Sequence, residues 1–273
     1  MADQPIGLFD SGIGGLSILR EVRRLLPAED LEYLADQAHV PYGSRPLDEV
    51  RSFSESITRF LLERRAKLVV VACNTASAVA LHHLRRTFPQ TPFVGMEPAV
   101  KPAAQATRTR VVGVLATPAT FQGELFASVV ERFAAGVRVV EQTAPGLVEQ
   151  IEAGDLQGPA TRRIVEGALR PLLAQGADTI VMGCTHYPFV IPLVQELAGP
   201  EVQVIDPSPA IARQTQRVLE EKGPAASKRG AGRVRLFTSG DVRGLEVWTA
   251  RLPELAGEVL PAQWVEGRLE SGG

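Results

Sequence analysis

The sequence predicts an α/β fold with mostly parallel sheets, and three observations support this prediction. Short apolar runs rich in β-branched residues alternate with longer segments in which apolar residues recur every three or four positions, such as Leu16, Leu19 and Val22. The short runs are apolar throughout, which is typical of strands covered by helices on both faces. The alternation continues along most of the 273 residues, a length that can hold two domains, each with its own core.

Eight strands are predicted in the first three quarters of the chain. They are Ile6–Phe9, Leu31–Leu34, Leu68–Val71, Phe93–Met96, Val111–Leu115, Val137–Val140, Thr179–Met182 and Val202–Ile205. A helix at Ile211–Glu221, a strand at Val234–Phe237 and a last helix at Val242–Ala250 are predicted to follow. This tail is too short to form a domain, so we expect it to pack on the first half of the chain.

The polar strand ends of the two halves correspond to each other. Asp10 pairs with Thr117, Asp36 with Glu141, Cys73 with Cys184 and Glu97 with Asp206, at a nearly constant separation of about 108 residues. This indicates an internal duplication and therefore two similar, pseudosymmetric lobes. We expect a discontinuous first lobe of residues 1–97 plus 207–273 and a second lobe of residues 98–206, with the segment 98–109 crossing between them.

Composition and charge argue against several classes of protein. The chain is 45% hydrophobic and 22% charged, with a net charge of −2, as in an ordinary soluble globular protein. This balance gives no electrostatic reason to expect a nucleic acid or a membrane as partner. The N-terminus MADQPIGLFD lacks the features of a secretory signal, and no apolar run approaches the roughly 18 residues of a membrane span. We therefore expect a cytoplasmic protein, in which a structural disulfide would be unusual.

The chain has only two cysteines, and each directly follows a predicted buried strand, in VVVACNTASA (69–78) and TIVMGCTHYP (179–188). Ligands of open parallel sheets bind outside the carboxyl ends of strands. Other polar residues at predicted strand ends are Asp10, Ser11, Asp36, Asn74, Thr75, Thr117, Thr120, Thr185 and His186. Each cysteine also precedes a predicted helix start, where backbone N–H groups and the helix dipole lower the pKa of a thiol from about 8.5.

Two thiols in equivalent positions have several possible interpretations. Both could be small buried hydrophobic residues, as most intracellular cysteines are. A zinc site would need more Cys or His ligands, no CxxC motif exists, and a hydrolase with one thiol would leave the second unexplained. Two thiols on opposite sides of a ligand can remove a proton from one face of a carbon and return one to the other face. That reaction inverts a stereocentre.

Cofactor motifs are weak or absent in the sequence. The run DSGIGGLS does not fit GxGxxG, because Ser17 stands where the third glycine should be, and a tight turn close to a ligand explains these glycines better. A pyridoxal phosphate enzyme needs a Schiff-base lysine. None of the lysines Lys67, Lys101, Lys222 and Lys228 lies in a strand-end motif. We therefore expect neither a cofactor nor a metal.

The runs GLFDSGIGGLSIL, ADQAHVPYGSR, VVACNTASA and GCTHYP, in this order, resemble the glutamate racemase family. The resemblance covers residues 5–221. It implies two pseudosymmetric α/β domains with the active site in the cleft between them. It also implies a cofactor-independent isomerase, commonly a homodimer, that interconverts L- and D-glutamate and supplies D-glutamate for peptidoglycan synthesis.

The resemblance assigns roles to individual residues. Cys73 would remove the α-proton of D-glutamate with assistance from Asp10. Cys184 would remove the α-proton of L-glutamate with assistance from His186, which Glu152 would support. The implied substrate-binding residues are Asp10, Ser11, Pro41, Tyr42, Gly43, Ser44, Asn74, Thr75, Thr185 and His186.

Two other functions stay open on the sequence alone. The protein could be a racemase of another amino acid, such as aspartate, on the same scaffold. It could also be an amino-acid-binding or regulatory protein without catalytic activity, since a fold does not by itself fix a function.

Overall fold

A computed structural model describes residues 4–222 and 230–272, which form two compact units. The first unit comprises the chain up to Met96 together with the segment that begins at Ser208. The second unit comprises Glu97–Pro207. Each unit has its own sheet and its own helices, so the predicted α/β class is confirmed.

Strands and helices alternate along the described residues. The strands are β1 (Ile6–Asp10), β2 (Leu31–Ala35), β3 (Leu68–Val71), β4 (Phe93–Val94), β5 (Val111–Ala116), β6 (Arg138–Gln142), β7 (Thr179–Gly183), β8 (Gln203–Ile205), β9 (Val234–Thr238), β10 (Glu258–Val265) and β11 (Arg268–Ser271). The helices are α1 (Leu16–Leu25), α2 (Leu47–Glu63), α3 (Asn74–Thr87), α4 (Val100–Ala106), α5 (Pro118–Gln122), α6 (Glu124–Phe133), α7 (Leu147–Glu152), α8 (Pro159–Ala174), α9 (Ile191–Ala198), α10 (Ser208–Lys222) and α11 (Val242–Ala250). Short 3-10 turns lie at Tyr42–Ser44, Tyr187–Val190 and Pro253–Leu255.

The first unit has a seven-stranded sheet in the order β11-β10-β9-β2-β1-β3-β4. Its strands pair in parallel except for β10 and β11, which form an antiparallel hairpin. The central strands β1, β2 and β3 are buried along their whole length. Apolar side chains of β1 and β3, such as Phe9, Val69 and Val71, pack with α2 and α3 residues in one core cluster.

The second unit has a four-stranded parallel sheet in the order β6-β5-β7-β8. Its core cluster joins Val112 and Val114 of β5 and Val181 of β7 to Phe126 and Val129 of α6. Strand β7 is fully buried, as expected for a central parallel strand covered by helices.

The first four strands of each unit share one topology. In the first unit they lie in the order second, first, third, fourth, and the strands of the second unit lie in the same order. This is the arrangement that the predicted duplication requires. Consequently β3 and β7, the strands that precede the two cysteines, are equivalent in the two sheets.

The C-terminal tail adds strands to the first unit. Strand β9 pairs in parallel with β2, as expected for a tail that packs on the first half of the chain. The hairpin β10–β11 extends the same sheet and was not predicted. The segment 98–109, expected as a crossover, contains α4. No helix among the residues that the structure describes is long and apolar enough to cross a membrane.

Candidate active site

The carboxyl ends of β1 and β3 bring the polar residues of the first unit together. These strands are neighbours, and Phe9 is in register with Val71, so Asp10 and Cys73 both follow at the same edge of the sheet. Asp10 is fully buried, and the backbone N–H of Gly15 donates a hydrogen bond of 2.8 Å to its Oδ2. The glycine-rich turn thus contributes a backbone N–H group to the carboxylate.

Cys73 is the N-cap of α3. Its Sγ accepts a hydrogen bond from the backbone N–H of Ala76 over 3.4 Å, and its side chain is buried. A helix N-terminus presents N–H groups and a positive dipole end, which favour the thiolate over the thiol. The predicted helix start after Cys73 is therefore confirmed, with the sulfur itself acting as the cap.

Asn74 and Thr75 form the first turn of α3 and are both buried. Asn74 is only 2% exposed, and neither its amide oxygen nor its amide nitrogen has a hydrogen-bond partner within the described part of the chain. An unsatisfied buried polar group costs about 1–3 kcal/mol. A polar ligand at this strand end would satisfy both atoms.

The predicted binding loop, residues 41–44, lies in the same unit. Tyr42 is buried, and its hydroxyl donates a 2.6 Å hydrogen bond to Asp36 Oδ2. Burial and, secondarily, the Asp36 carboxylate raise the pKa of the Tyr42 hydroxyl well above its ordinary value. Pro41 and Gly43 are half-buried, whereas Ser44 is exposed. Ser11, which follows Asp10, is buried.

In the second unit the equivalent strand end carries Cys184. Strands β5 and β7 are neighbours, with Ala116 in register with Gly183, so Thr117 and Cys184 follow at the same edge. The Thr117 and Thr120 hydroxyls lie 2.9 Å apart in a hydrogen bond. Unlike Cys73, Cys184 does not cap a helix: a turn and the 3-10 segment Tyr187–Val190 precede α9. The helical segment that was predicted to follow Cys184 therefore begins only at Tyr187, as a 3-10 turn.

An imidazole takes the place of the helix cap at Cys184. Nδ1 of His186 lies 3.9 Å from the Cys184 Sγ, and Nε2 lies 2.6 Å from Oε1 of Glu152, the last residue of α7. An ionised carboxylate only accepts hydrogen bonds, so Nε2 carries a hydrogen and Nδ1 is the nitrogen that can take the thiol proton. Cys184, Thr185 and His186 are all buried.

Each unit therefore gathers its own share of the predicted residues. The first holds Asp10, Ser11, Pro41, Tyr42, Gly43, Ser44, Cys73, Asn74 and Thr75, and the second holds Glu152, Cys184, Thr185 and His186. The sequence placed Gly15 in a tight turn but predicted neither its hydrogen bond to Asp10 nor the hydrogen bonds of Asp36. The strand-end position of Asp36 was the available signal for it. No group of three or more His, Cys, Asp or Glu side chains within residues 4–222 and 230–272 could hold a metal ion.

Comparison with known proteins decides the family. The model of the Asp/Glu/hydantoin racemase family matches residues 6–215. A glutamate racemase from Roseiflexus sp. is 55% identical over 245 residues, which are 88% of this chain and 90% of the relative. The chain belongs to the glutamate racemases of this family.

Solved glutamate racemase structures share the whole fold. The crystal structure of an isoform from Bacillus anthracis has a TM-score of 0.87 at 30% identity and covers 98% of this chain and 100% of its own. The Escherichia coli enzyme, solved with L-glutamate and the activator UDP-MurNAc-ala, has a TM-score of 0.83 at 33% identity and covers 99% and 100%. The two-domain α/β fold, the family and the isomerase class predicted from the sequence are thus confirmed for this chain.

Proposed function

We propose that the protein interconverts L- and D-glutamate by moving the α-proton between Cys73 and Cys184 without a cofactor. The observation that carries the proposal is the equivalent position of the two thiols, each directly after the third strand of a sheet with the same topology. The mechanism requires the two sulfurs to approach one α-carbon from opposite faces. We expect the enzyme to supply D-glutamate for peptidoglycan synthesis, as the family resemblance implies.

The proton balance is the same in both directions. With D-glutamate bound, the Cys73 thiolate takes the α-proton, the carbon becomes planar, and the Cys184 thiol donates its proton to the opposite face. L-glutamate results, with Cys73 now a thiol and Cys184 a thiolate. The reverse reaction restores the starting state. Asp10 is proposed to assist Cys73, and His186, held by Glu152, to assist Cys184.

Neutral donors are well suited to hold this substrate. Removal of the α-proton moves negative charge onto the neighbouring carboxylate, where preorganised hydrogen-bond donors stabilise it. The buried amide of Asn74, the hydroxyls of Ser11, Thr75 and Thr185 and the backbone of residues 42–44 are proposed as these donors. The buried Asp10 carboxylate is proposed to accept the substrate ammonium group.

Racemisation in heavy water tests the two-thiol mechanism. Each thiol exchanges its proton with solvent, so the product enantiomer is expected to carry deuterium at the α-carbon while the remaining substrate still carries hydrogen early in the reaction. Chiral separation with mass spectrometry, started from each enantiomer, measures this. Equal early labelling of substrate and product would contradict two bases and indicate one.

Single substitutions test the assignment of the bases. Cys73→Ser and Cys184→Ser are each expected to lower kcat/KM by at least about a hundredfold in both directions, because general acid–base groups contribute roughly that factor or more. Glutamate binding, measured by calorimetry, should survive. Full turnover by either variant would defeat the proposal, and binding without turnover in the unmodified protein would favour the regulatory alternative.

Substrate chain length separates glutamate from aspartate. The relatives that establish the family are glutamate racemases, which supports glutamate as the substrate. We expect kcat/KM for glutamate to exceed that for aspartate. Circular dichroism, with each amino acid as substrate, measures both values. A preference for aspartate would overturn the substrate assignment.

The association state and the location are also proposed. The family resemblance supports a homodimer, which light scattering coupled to size exclusion tests directly. Neither cysteine is in a disulfide, which suits a reducing compartment such as the cytoplasm. Cell fractionation with an antibody against the protein tests the location.

A further inference from the structure

Asp36 is a buried carboxylate that the proposed mechanism does not use. It directly follows β2, is fully buried, and its backbone N–H donates a 3.0 Å hydrogen bond to the carbonyl oxygen of Asp10. Strand β2 pairs with β1 on one side and with β9 on the other. Asp36 therefore lies between the strand that ends at Asp10 and the strands of the C-terminal tail.

Four side chains converge on this one carboxylate. The hydroxyls of Tyr42 and Ser239 donate hydrogen bonds of 2.6 Å to Oδ2 and 2.7 Å to Oδ1. The indole N–H of Trp264 donates to Oδ1 over 2.7 Å, and Nδ1 of His39 lies 2.9 Å from Oδ2. A buried carboxylate is tolerated when donors replace its water shell, and these bonds are stronger than neutral ones.

The four partners come from three separate parts of the first unit. His39 and Tyr42 belong to the loop that contains residues 41–44, Ser239 follows β9, and Trp264 lies in β10. Ser239 and Trp264 both lie beyond residue 215, where the family match ends. Aromatic packing reinforces the link: the His39 ring stacks on Phe53 at 3.9 Å and meets the Trp264 ring edge-on at 5.0 Å.

We propose that Asp36 is a positioning residue through which Ser239 and Trp264 of the C-terminal tail set the geometry of the substrate-binding loop. The inference rests on the proposed function, because residues 41–44 matter only if they bind substrate. The Tyr42 ring is held at its hydroxyl by Asp36, and the backbone of the 3-10 turn Tyr42–Ser44 is held with it. Trp264 and Ser239 fix the orientation of the carboxylate, so their loss would let the loop move away from its binding geometry.

Two variants that each remove one donor test this proposal. In Trp264→Phe and Ser239→Ala, KM for both glutamate enantiomers is expected to rise about tenfold while kcat stays within about twofold, the size expected from losing one hydrogen bond to a charged group. In an Asp36→Asn background, adding Trp264→Phe should change KM little further, since residues that act through one shared partner are not additive. If Asp36→Asn does not fold, the two single variants still decide the question.

Matched controls separate positioning from general destabilisation. Trp248→Phe makes the same change at a buried tryptophan of α11 whose ring lies against the Arg251 guanidinium. Ser56→Ala removes a hydroxyl that donates to the carbonyl oxygen of Gly267 in the hairpin turn over 3.0 Å. Both controls should lower the melting temperature at most, with KM unchanged.

The outcomes distinguish the inference from the proposed function. If the unmodified protein does not racemise glutamate, the proposed function is wrong. If it does, but Trp264→Phe and Ser239→Ala have the KM of their controls and differ only in melting temperature, the positioning role is overturned. If KM rises in Trp264→Phe and Ser239→Ala but not in the two controls, the positioning role of Asp36 is established.

Discussion

Cys73 and Cys184 have different supports within their own units. The Cys73 sulfur caps α3 through the Ala76 N–H, whereas the Cys184 sulfur faces the His186 imidazole. A helix N-terminus presents N–H groups to the first sulfur, and an imidazole that can accept a proton lies beside the second. The two units therefore share the position of the cysteine after the third strand, but the groups around the two sulfurs differ.

Glu152→Gln is expected to reduce kcat/KM about ten- to a hundredfold. The amide cannot hold a charged imidazole as the carboxylate does, so His186 becomes a weaker partner for Cys184. Steady-state kinetics from both enantiomers measures the effect. Glu149→Gln, an exposed residue of the same helix, is the matched control. Equal activities of the two variants would show that the His186–Glu152 pair has no part in catalysis.

Gly15→Ala is expected to destabilise the protein and to lower activity. A Cβ at residue 15 would lie 2.8 Å from both the Asp10 Cβ and the Tyr33 hydroxyl, so Asp10 would have to move. Overpacking of this kind costs roughly 1–3 kcal/mol. Urea denaturation and kcat/KM measure the two effects.

Gly167→Ala is the control for that substitution. Within residues 4–222 and 230–272, apart from the adjacent residues and the helix's own backbone, no atom lies within 4 Å of a Cβ built at this exposed position of α8. Alanine in a helix interior should therefore stabilise the protein by about 0.5–1 kcal/mol and leave activity unchanged. If Gly15→Ala kept full stability and activity, the turn could accommodate a Cβ, and the expected clash with Asp10 and Tyr33 would be contradicted.

Single side chains also tie elements together. Asp178, immediately before β7, accepts hydrogen bonds from the Thr107 hydroxyl and from the backbone N–H groups of Arg108 and Thr109, the residues between α4 and β5. Burial alone would raise the pKa of this carboxyl, but these hydrogen bonds outweigh it and lower the pKa to about 2. The starts of the two central strands of the second unit are thus joined by one carboxylate.

The stability contributed by Asp178 depends on pH. Because its folded pKa of about 2 lies below its unfolded value of about 3.9, this stability is present above about pH 4 and is lost as the pH falls towards 2. Asp178→Asn should therefore unfold at lower urea concentration at pH 6, with a smaller further loss between pH 5 and pH 3. Asp48→Asn, at an exposed position of α2, controls for the lost charge. Parallel pH profiles of wild type and Asp178→Asn would contradict this assignment.

The second unit is one contiguous stretch of the sequence, and it separates the two stretches that form the first unit. The second unit has a sheet and a core of its own, and the first unit needs both ends of the chain: β9 pairs with β2, and α10 packs on α1. One catalytic candidate thiol belongs to each unit. Racemisation by the proposed mechanism therefore needs both units.

A fragment of residues 97–207 is expected to fold alone and to be inactive. It should unfold cooperatively and give a dispersed NMR spectrum, because its core contacts are internal. A fragment ending at Met96 should not fold, because β2 would lose β9 and α1 would lose α10. A folded 1–96 fragment would show that the C-terminal segment is dispensable for the first unit.

The buried elements could be predicted from the sequence because each has a recognisable local pattern of apolar residues. Strand β3 (LVVV) is apolar at every position, and a fully buried parallel strand must be so. The hairpin β10–β11 escaped prediction because it is half-exposed and contains Pro261, a residue that argues against a strand. Its pairing with β9 is a tertiary contact, and no local pattern encodes it.

In the candidate site, too, some features could be predicted from the sequence and others could not. Cys73 and Cys184 were found because strand ends and a repeat are visible along the chain. The 3-10 turn that separates Cys184 from α9 was not foreseen, although Pro188 and Pro192 lie in this segment. The partners of Asp36 lie up to 228 residues away in the chain, so no spacing rule could gather them.

The sequence by itself determined the α/β class, the duplication and the identity of the two thiols, since periodicity and strand-end chemistry are properties of neighbouring residues. Only the tertiary structure decided that the Cys73 sulfur caps α3, that the His186 imidazole lies beside the Cys184 sulfur, and which C-terminal side chains hold Asp36. Those contacts depend on how distant segments pack, and packing is a property of the folded chain rather than of any stretch of it.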